Sequence, residues 1–166
     1  MSKTEDSDVR SPGAPQGIRT LTNFIIVANP TAAMDWYMRV LGALDLGRLS
    51  TPDGSRVLHG ELRIGDSVLM LAQEFPERGS RAPRPDEPAS SVLMLYVPDV
   101  DGVYGRAIAA GAVAIEAPVD QFWGARQGRF RDPFGHCWSV ATQLRDLTME
   151  EMRGAVAQFV ARSKKG

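Results

Sequence analysis

The apolar residues of this chain fall into two successive sets that follow the same order. Alternation with a period of two predicts strands, and a period near 3.6 predicts helices. The first set predicts a strand at 21–28, a helix at 31–41 and strands at 44–50, 57–64 and 67–73. The second predicts a strand at 92–97, a helix at 100–110 and strand segments at 113–116, 128–132 and 135–140. Such a long repeat indicates a pair of βαβββ modules, because a solenoid needs three or more stacked repeats.

Capping and turn residues mark the ends of several predicted elements. Asn29 or Thr31 can cap the first helix, and Gly42 suits its left-handed C-terminal cap. The segment Asp-Pro-Phe-Gly at 132–135 has the residues that a type I turn favours. A capping box at 148–151 predicts a C-terminal amphipathic helix within residues 146–166.

Two segments lack apolar periodicity. Residues 1–17 are polar and contain prolines and glycines, so they are predicted to be a disordered tail. Residues 76–90 are rich in proline and charge, which predicts a linker without regular structure. The main domain is therefore expected at 18–145, with modules at 18–75 and 91–145 on the two sides of this linker.

Composition narrows the class of protein. The 166 residues suit one domain or two halves that share a core. The net charge of −1 gives no electrostatic case for nucleic acid or for an anionic membrane. No segment approaches the ~20 apolar residues of a membrane helix, and no secretory signal is evident. A single cysteine, Cys137, fits a reducing compartment, so a cytoplasmic location is expected.

The ordered set of motifs resembles a known superfamily. The duplicated βαβββ unit, Met-Asp-Trp-Tyr-Met-Arg-Val-Leu-Gly at 34–42 and Asp-Pro-Phe-Gly-His at 132–136 resemble the vicinal oxygen chelate superfamily. This superfamily includes glyoxalase I, bleomycin-resistance proteins and extradiol dioxygenases. The segments 59–65 and 123–129 are similar to its PhnB-like branch.

The resemblance covers about residues 20–143 and implies an α+β, glyoxalase-like fold. It implies two tandem βαβββ modules with open, curved sheets, one helix on each convex face and a cleft between the sheets. It also implies a homodimer, because many relatives build the cleft from both chains.

The superfamily's chemistry uses a divalent metal held by His, Glu or Gln on the first and last strand of each module. The equivalent positions in this chain are Thr22, Met70, Val92 and Ser139, with Leu69 replacing Met70 if the register shifts by one. None is a customary ligand for such an ion. We therefore expect neither the shared metal site nor another cofactor.

Strand alternation predicts an apolar cleft lining with scattered hydroxyls and one thiol, which favours a flat or hydrophobic ligand. Tyr96, Cys137 and Ser139 belong to this lining. The alternative is that these side chains fill the space as core. No base is placed to activate Cys137 as a nucleophile, because His136 points to the opposite strand face.

The loop around 120–126 is the strongest ligand-binding candidate. Phe122 and Trp123 can stack on a ligand ring, and Arg126 can pair with an anion. Alternatively, Trp123 closes one end of the cleft. Arg129 is either a second binding group or part of a structural ion pair.

His59 and Glu61 share one strand face, where they are expected to form a polar cleft wall, an ion pair with an arginine or a displaced cation site. The leading hypothesis is a metal-free protein that binds a small hydrophobic or aromatic molecule. The alternative is a lyase or isomerase related to glyoxalases or dioxygenases. It would use either a rebuilt metal site at His59 and Glu61 or acid–base chemistry by Glu61 with Arg129. The sequence leaves open whether the protein is an enzyme.

Overall fold

The computed structural model describes residues 13–84 and 87–163, with side chains described as far as residue 157. It divides into two compact units, one ending at Arg84 and the other comprising the rest of the chain. Each unit holds a four-stranded sheet. Most of the predicted tail, residues 1–12, lies outside the described residues, as do residues 85–86 of the linker.

The first unit has the predicted βαβββ order. Its elements are β1 (Asn23–Val27), α1 (Pro30–Leu41), β2 (Leu44–Ser50), β3 (Val57–Ile64) and β4 (Ser67–Gln73). The side chain of Asn29, rather than that of Thr31, caps α1 by accepting a 3.1 Å hydrogen bond from the amide of Ala32. Gly42 ends the helix in the left-handed conformation, with φ of 70°.

The strand order of this sheet is β1-β4-β3-β2, with β1 parallel to β4 and the other pairs antiparallel. The apolar face of α1 packs on one side of the sheet. Met34 and Tyr37 are fully buried there, and Leu62 and Leu71 are the corresponding fully buried strand residues. No α-helix among residues 13–84 covers the other side of the sheet.

The second unit repeats the arrangement. It contains β5 (Val92–Tyr96), α2 (Val100–Ala109), β6 (Val113–Asp120), β7 (Ala125–Arg131) and β8 (Cys137–Gln143). The strand order is β5-β8-β7-β6, and β5 runs parallel to β8. The ring of Tyr104 on α2 lies edge-on to Phe130 of β7, with their centroids 6.2 Å apart. This contact shows which face of the second sheet the helix covers.

The connection between the strand segments predicted at 113–116 and 128–132 is much shorter in the structure. β6 extends to Asp120 and β7 begins at Ala125, so only residues 121–124 connect them. The prediction ended the strand too early because Pro118 cannot donate a hydrogen bond in a sheet. β6 is an edge strand whose register shifts between Glu116 and Val119, and such a site tolerates proline.

The linker prediction also needs a correction. Residues Pro76–Arg78 form a single 3₁₀ turn, closed by Gly79 in the left-handed conformation. Phe75 and Ser80 pair as an isolated β-bridge around this turn. Proline at the first position of a helical turn is favourable, so a proline-containing segment can be locally regular.

The C-terminal helix, α3, spans Met149–Ser163. Thr148 and Glu151 form the predicted capping box. The Glu151 carboxylate accepts from the Thr148 amide at 2.8 Å, and the Glu151 amide donates to the Thr148 hydroxyl at 3.2 Å. Within the described part of the chain, no helix combines the length and apolarity needed to cross a membrane.

Candidate functional site

The open face of the first sheet is the side away from α1. Ile25 and Val27 of β1 are buried beneath the helix, whereas Phe24 alternates with them and is 50% exposed. The β1–β4 register pairs Phe24 with Met70, and the β3–β4 register pairs Glu61 with Met70. These three side chains therefore share the open face, because directly paired residues point to the same side of a sheet.

His59 and Glu61 form a hydrogen-bonded pair on this face. The Nε2 of His59 lies 2.8 Å from Oε1 of Glu61, and both side chains are about one-third exposed. The ring of Phe24 stacks on the imidazole with a centroid distance of 5.9 Å. The structure thus joins two predicted site residues in an imidazole–carboxylate pair with an aromatic neighbour.

The open face of the second sheet is more apolar. The β5–β8 register pairs the remaining predicted lining residues, as Val92 with Cys137, Met94 with Ser139 and Tyr96 with Ala141. Met94 and Tyr96 are 44% and 64% exposed. The residues of β8 in these pairs are small and buried, so the edge strand β5 forms the accessible part of this face.

Ser139 lies at the centre of this second face and is only 5% exposed. Its hydroxyl is buried and has no hydrogen-bond partner. Across the antiparallel β7–β8 ladder it is paired directly with Arg129, another predicted ligand-binding residue. The face therefore combines an apolar outer strand with a hydroxyl and a guanidinium on adjacent strands.

The predicted aromatic pair sits in the tight turn between β6 and β7. The rings of Phe122 and Trp123 meet edge to face, with their centroids 4.8 Å apart. Gly124 adopts a φ of 88°, and its carbonyl accepts hydrogen bonds from the amides of Leu144 and Arg145. Both aromatic side chains are half-buried, so the backbone anchors a partly accessible aromatic cluster.

Arg126 is engaged in a network of ion pairs. Its guanidinium donates two hydrogen bonds to Asp101 on α2, at 2.7 and 2.8 Å, and a third to Asp120 at 3.0 Å. These hydrogen bonds raise the pKa of Arg126 and hold the pKa of Asp101 below its usual value. Arg126 therefore has a structural role, linking α2 to the end of β6. The sequence did not predict this role because Asp101 is 25 residues away.

The Asp-Pro-Phe-Gly-His motif also has internal partners. One carboxylate oxygen of Asp132 accepts from the backbone amides of Phe134 and His136, both at 2.9 Å. The other accepts from the indole nitrogen of Trp138 at 2.8 Å. Asp132 is thus a buried structural acceptor, and an aspartate opening a type I turn was the only sequence signal for it.

The four positions equivalent to the superfamily's metal ligands do not offer a suitable donor set. The Thr22 hydroxyl donates to the carbonyl of Arg19 at 2.9 Å, and Val92 has no donor atom. Met70 supplies a soft thioether and Ser139 a neutral hydroxyl, whereas hard or borderline divalent ions take imidazole or carboxylate. Within residues 13–84 and 87–163, no group of three or more His, Cys, Asp or Glu side chains is arranged to hold a metal.

Two βαβββ units, each with a helix on one sheet face, define a protein of the glyoxalase-like class. The sequence profile of the Glyoxalase/Bleomycin resistance protein/Dioxygenase superfamily matches residues 18–140. The chain therefore belongs to this superfamily, and the predicted family and α+β fold are confirmed.

The chain is also similar to known proteins in sequence or in structure. The chain is 34% identical to an uncharacterized protein of Mycobacterium bovis over 140 residues, covering 82% of this chain and 91% of that protein. The crystal structure of TioX from Micromonospora sp. ML1 is similar at a TM-score of 0.58 and 28% identity, covering 75% of this chain and 98% of TioX. A PhnB protein from Bacillus cereus has a TM-score of 0.56 at 13% identity, covering 75% of this chain and 99% of its own, which shows a shared fold.

Proposed function

We propose that this protein binds a hydrophobic or aromatic small molecule on its open sheet faces and that it needs no metal to do so. The observation that carries the proposal is the exposure of apolar side chains opposite the helix-covered sides of the sheets. Phe24 lies on the first open face, and Val92, Met94 and Tyr96 form a continuous row on the second. Contiguous exposed apolar surface of this kind is typical of ligand-binding or interaction sites.

The chemistry of the row favours a flat organic ligand. Tyr96 and Met94 offer large, polarisable surfaces, and burial of apolar area supplies about 25 cal/mol for each Å² removed from water. Aromatic side chains gain further from stacked or edge-to-face contacts with a ligand ring. The aromatic cluster of Phe122 and Trp123 supports the same ligand class, because both rings remain partly accessible.

The metal-free part of the proposal rests on the residues at the superfamily's ligand positions. Thr22, Met70, Val92 and Ser139 provide neither imidazole nor carboxylate. The binding energy is therefore expected to come from apolar contact and hydrogen bonding rather than from coordination of two substrate oxygens.

Tryptophan fluorescence provides a direct test. Trp36 and Trp138 are buried core residues, whereas Trp123 is half-buried and positioned to respond to a nearby ligand. We expect at least one member of a panel of flat aromatic compounds to quench the fluorescence saturably. Calorimetry on the Trp123→Phe variant separates loss of the reporter from loss of binding.

Matched variants locate the binding surface. Tyr96→Ala should weaken binding about tenfold or more, since a large aromatic contact is lost. Val156→Ala, which shortens an exposed apolar side chain on α3, should leave binding unchanged. Stoichiometric zinc, nickel, manganese or iron in the purified protein, lost in His59→Ala, would contradict the metal-free proposal. Failure of every compound of the panel to bind would contradict the proposed binding function.

The pair of His59 and Glu61 favours one alternative function. A carboxylate hydrogen-bonded to an imidazole holds the ring in one orientation, and such a pair suits proton transfer in a lyase or isomerase. The same two residues could ligate a displaced metal, and Arg129 is the predicted binding cation in the metal-free version. Turnover of a glyoxalase-type or dioxygenase-type substrate that disappears in both His59→Gln and Glu61→Gln would favour this alternative.

The assembly predicted from the family is a homodimer. The exposed apolar row of Val92, Met94 and Tyr96 supports this proposal, because a second chain could cover part of it. Light scattering coupled to size-exclusion chromatography should give twice the mass of 18.1 kDa for one chain. A monomeric mass at micromolar concentration would overturn this part of the proposal.

A further inference from the structure

The buried hydroxyl of Ser139 is the one buried side-chain polar atom of the described residues that lacks a hydrogen-bond partner. Buried polar atoms in folded proteins nearly always have a partner, so an exception requires an explanation. Ser139 does not lie beneath α2. Its neighbour Trp138 faces that side, and alternation directs Ser139 to the open face. Because the hydroxyl lies on an open sheet face, a bound ligand can supply the hydrogen-bond partner that it lacks.

Arg129 supplies a second polar group at the same place. It is the direct cross-strand partner of Ser139, and residues so paired have Cβ atoms roughly 5 Å apart. Among the described residues, the Arg129 guanidinium makes no hydrogen bond or ion pair. Glu116 is opposite Arg129 in the β6–β7 ladder, yet it is exposed and forms no ion pair with it.

The other arginines of β7 are already occupied. Arg131 donates to the carbonyl of Glu87 at 3.0 Å, and Arg126 is held by Asp101 and Asp120. Arg129 is therefore the guanidinium of this strand that remains available for a ligand.

We propose that Ser139 and Arg129 together bind a carboxylate of the ligand, while its apolar body lies along Met94 and Tyr96. A serine hydroxyl can donate one hydrogen bond, and the planar guanidinium matches a carboxylate with two. The ligand class is thus a hydrophobic or aromatic carboxylic acid. This inference rests on the proposed small-molecule function and adds to it the polar group by which the ligand is recognised.

Matched pairs of acids and amides test this proposed carboxylate site of Ser139 and Arg129, which we call the anchor. Calorimetric titrations would compare benzoate, cinnamate and 2-naphthoate with their neutral amides, which keep the ring and remove the charge. The wild-type protein should bind at least one acid about tenfold or more tightly than its amide. Ser139→Ala and Arg129→Gln should each remove most of this difference and leave amide binding almost unchanged. Arg153→Gln, an exposed arginine on α3, should preserve the difference.

Thermal unfolding of Ser139→Ala adds a readout that a merely structural serine would not give. Because the substitution removes an unpartnered buried hydroxyl, its Tm should equal or exceed that of the wild type, even though acid binding is weaker. A lowered Tm with unchanged acid affinity would overturn the anchor.

The possible results separate the anchor from the broader function. Neutral compounds that bind as tightly as the acids would refute the anchor and leave the binding function intact. Acid preference that survives both Ser139→Ala and Arg129→Gln would also refute it. Absence of binding by every acid, amide and other aromatic compound tested would refute the binding function itself, and the anchor with it.

Discussion

The indole nitrogen of Trp138 donates a 2.8 Å hydrogen bond to the buried carboxylate of Asp132. The second carboxylate oxygen holds the amides of Phe134 and His136, so one side chain ties the turn to the first residues of β8. Because Ser139 directly follows Trp138, this bond also helps to fix the part of β8 that carries the proposed anchor. The Asp-Pro-Phe-Gly-His motif at 132–136 thus supports the strand that carries the proposed anchor.

Asp132→Ala should destabilise the protein strongly. The substitution leaves two backbone amides and the Trp138 indole without their acceptor in a buried environment, at a cost of about 3 kcal/mol or more. The free energy of unfolding from urea titration followed by circular dichroism measures this loss. Asp146→Asn, at an exposed site, is the control and should stay within about 0.5 kcal/mol of wild type. Equal stabilities of Asp132→Ala and wild type would contradict the structural role.

Gly124→Ala should be more harmful than Gly54→Ala. Both glycines have positive φ, at 88° and 69°, so alanine is strained at either position. A Cβ at Gly124 would also lie 2.5 Å from the carbonyl oxygen of Arg145, whereas a Cβ at Gly54 would meet open space. We expect about 1 kcal/mol of destabilisation at Gly54 and about 3 kcal/mol at Gly124. Denaturant unfolding gives both values, and equal losses would show that the Gly124 turn can open to accept a methyl group.

The contribution of Asp101 to stability should depend on pH. Its hydrogen bonds with Arg126 lower the pKa of Asp101 in the folded state below 3.8, its ordinary value. The stabilising effect is therefore complete above about pH 5 and is lost as the pH falls through the folded-state pKa. At pH 7, Asp101→Asn should lower Tm by about 1–2 °C, because exposed ion pairs contribute little.

As the pH falls through the folded-state pKa of Asp101, the difference in Tm between Asp101→Asn and wild type should shrink. It should also shrink in 1 M salt, which screens exposed charges, and in an Arg126→Gln background. Differential scanning calorimetry across this series is the measurement. A Tm difference that grows on acidification would show that Asp101 acts through something other than its charged contact with Arg126.

Cys137 should resist thiol reagents in the native protein. It is the chain's one cysteine and is 5% exposed on the second sheet. Reaction with a thiol-disulfide reagent requires local or global opening, so we expect labelling about a hundredfold slower than in guanidinium. Cys137→Ala provides the blank. Rapid native labelling that is blocked by a bound acid would instead show that the open face exposes the thiol.

The strand pattern made most of the fold predictable. The predicted bounds 44–50, 57–64 and 67–73 coincide with β2, β3 and β4, because alternation and glycine turns are local signals. The prediction was wrong where tertiary context decided the outcome. Pro118 lies within β6 because an irregular edge strand tolerates it, and the linker contains a 3₁₀ turn because Phe75 and Ser80 pair across it.

The site was less predictable than the fold. Spacing on one strand predicted that His59 and Glu61 share a face, but not that they are hydrogen-bonded to each other. Arg126 is held by Asp120, six residues away at the end of β6, and by Asp101 on α2, which is 25 residues away in sequence. The lack of a partner for Ser139 is a property of three-dimensional packing, so no sequence pattern encodes it.

The parallel pairing of β1 with β4, and of β5 with β8, has a consequence for synthesis of the protein on the ribosome. Asn23 of β1 pairs with Leu69 of β4, and Val92 of β5 pairs with Cys137 of β8. The first strand of each sheet therefore stays without this partner until about 45 further residues have been synthesised. Neither sheet can be completed until its last strand has emerged from the exit tunnel, and closure of long sequence separations is slow. All four strands of the first sheet precede residue 85, so their pairing does not require the second unit to have been translated. Early pairing would shorten the time for which unpaired strand edges are exposed to other nascent chains.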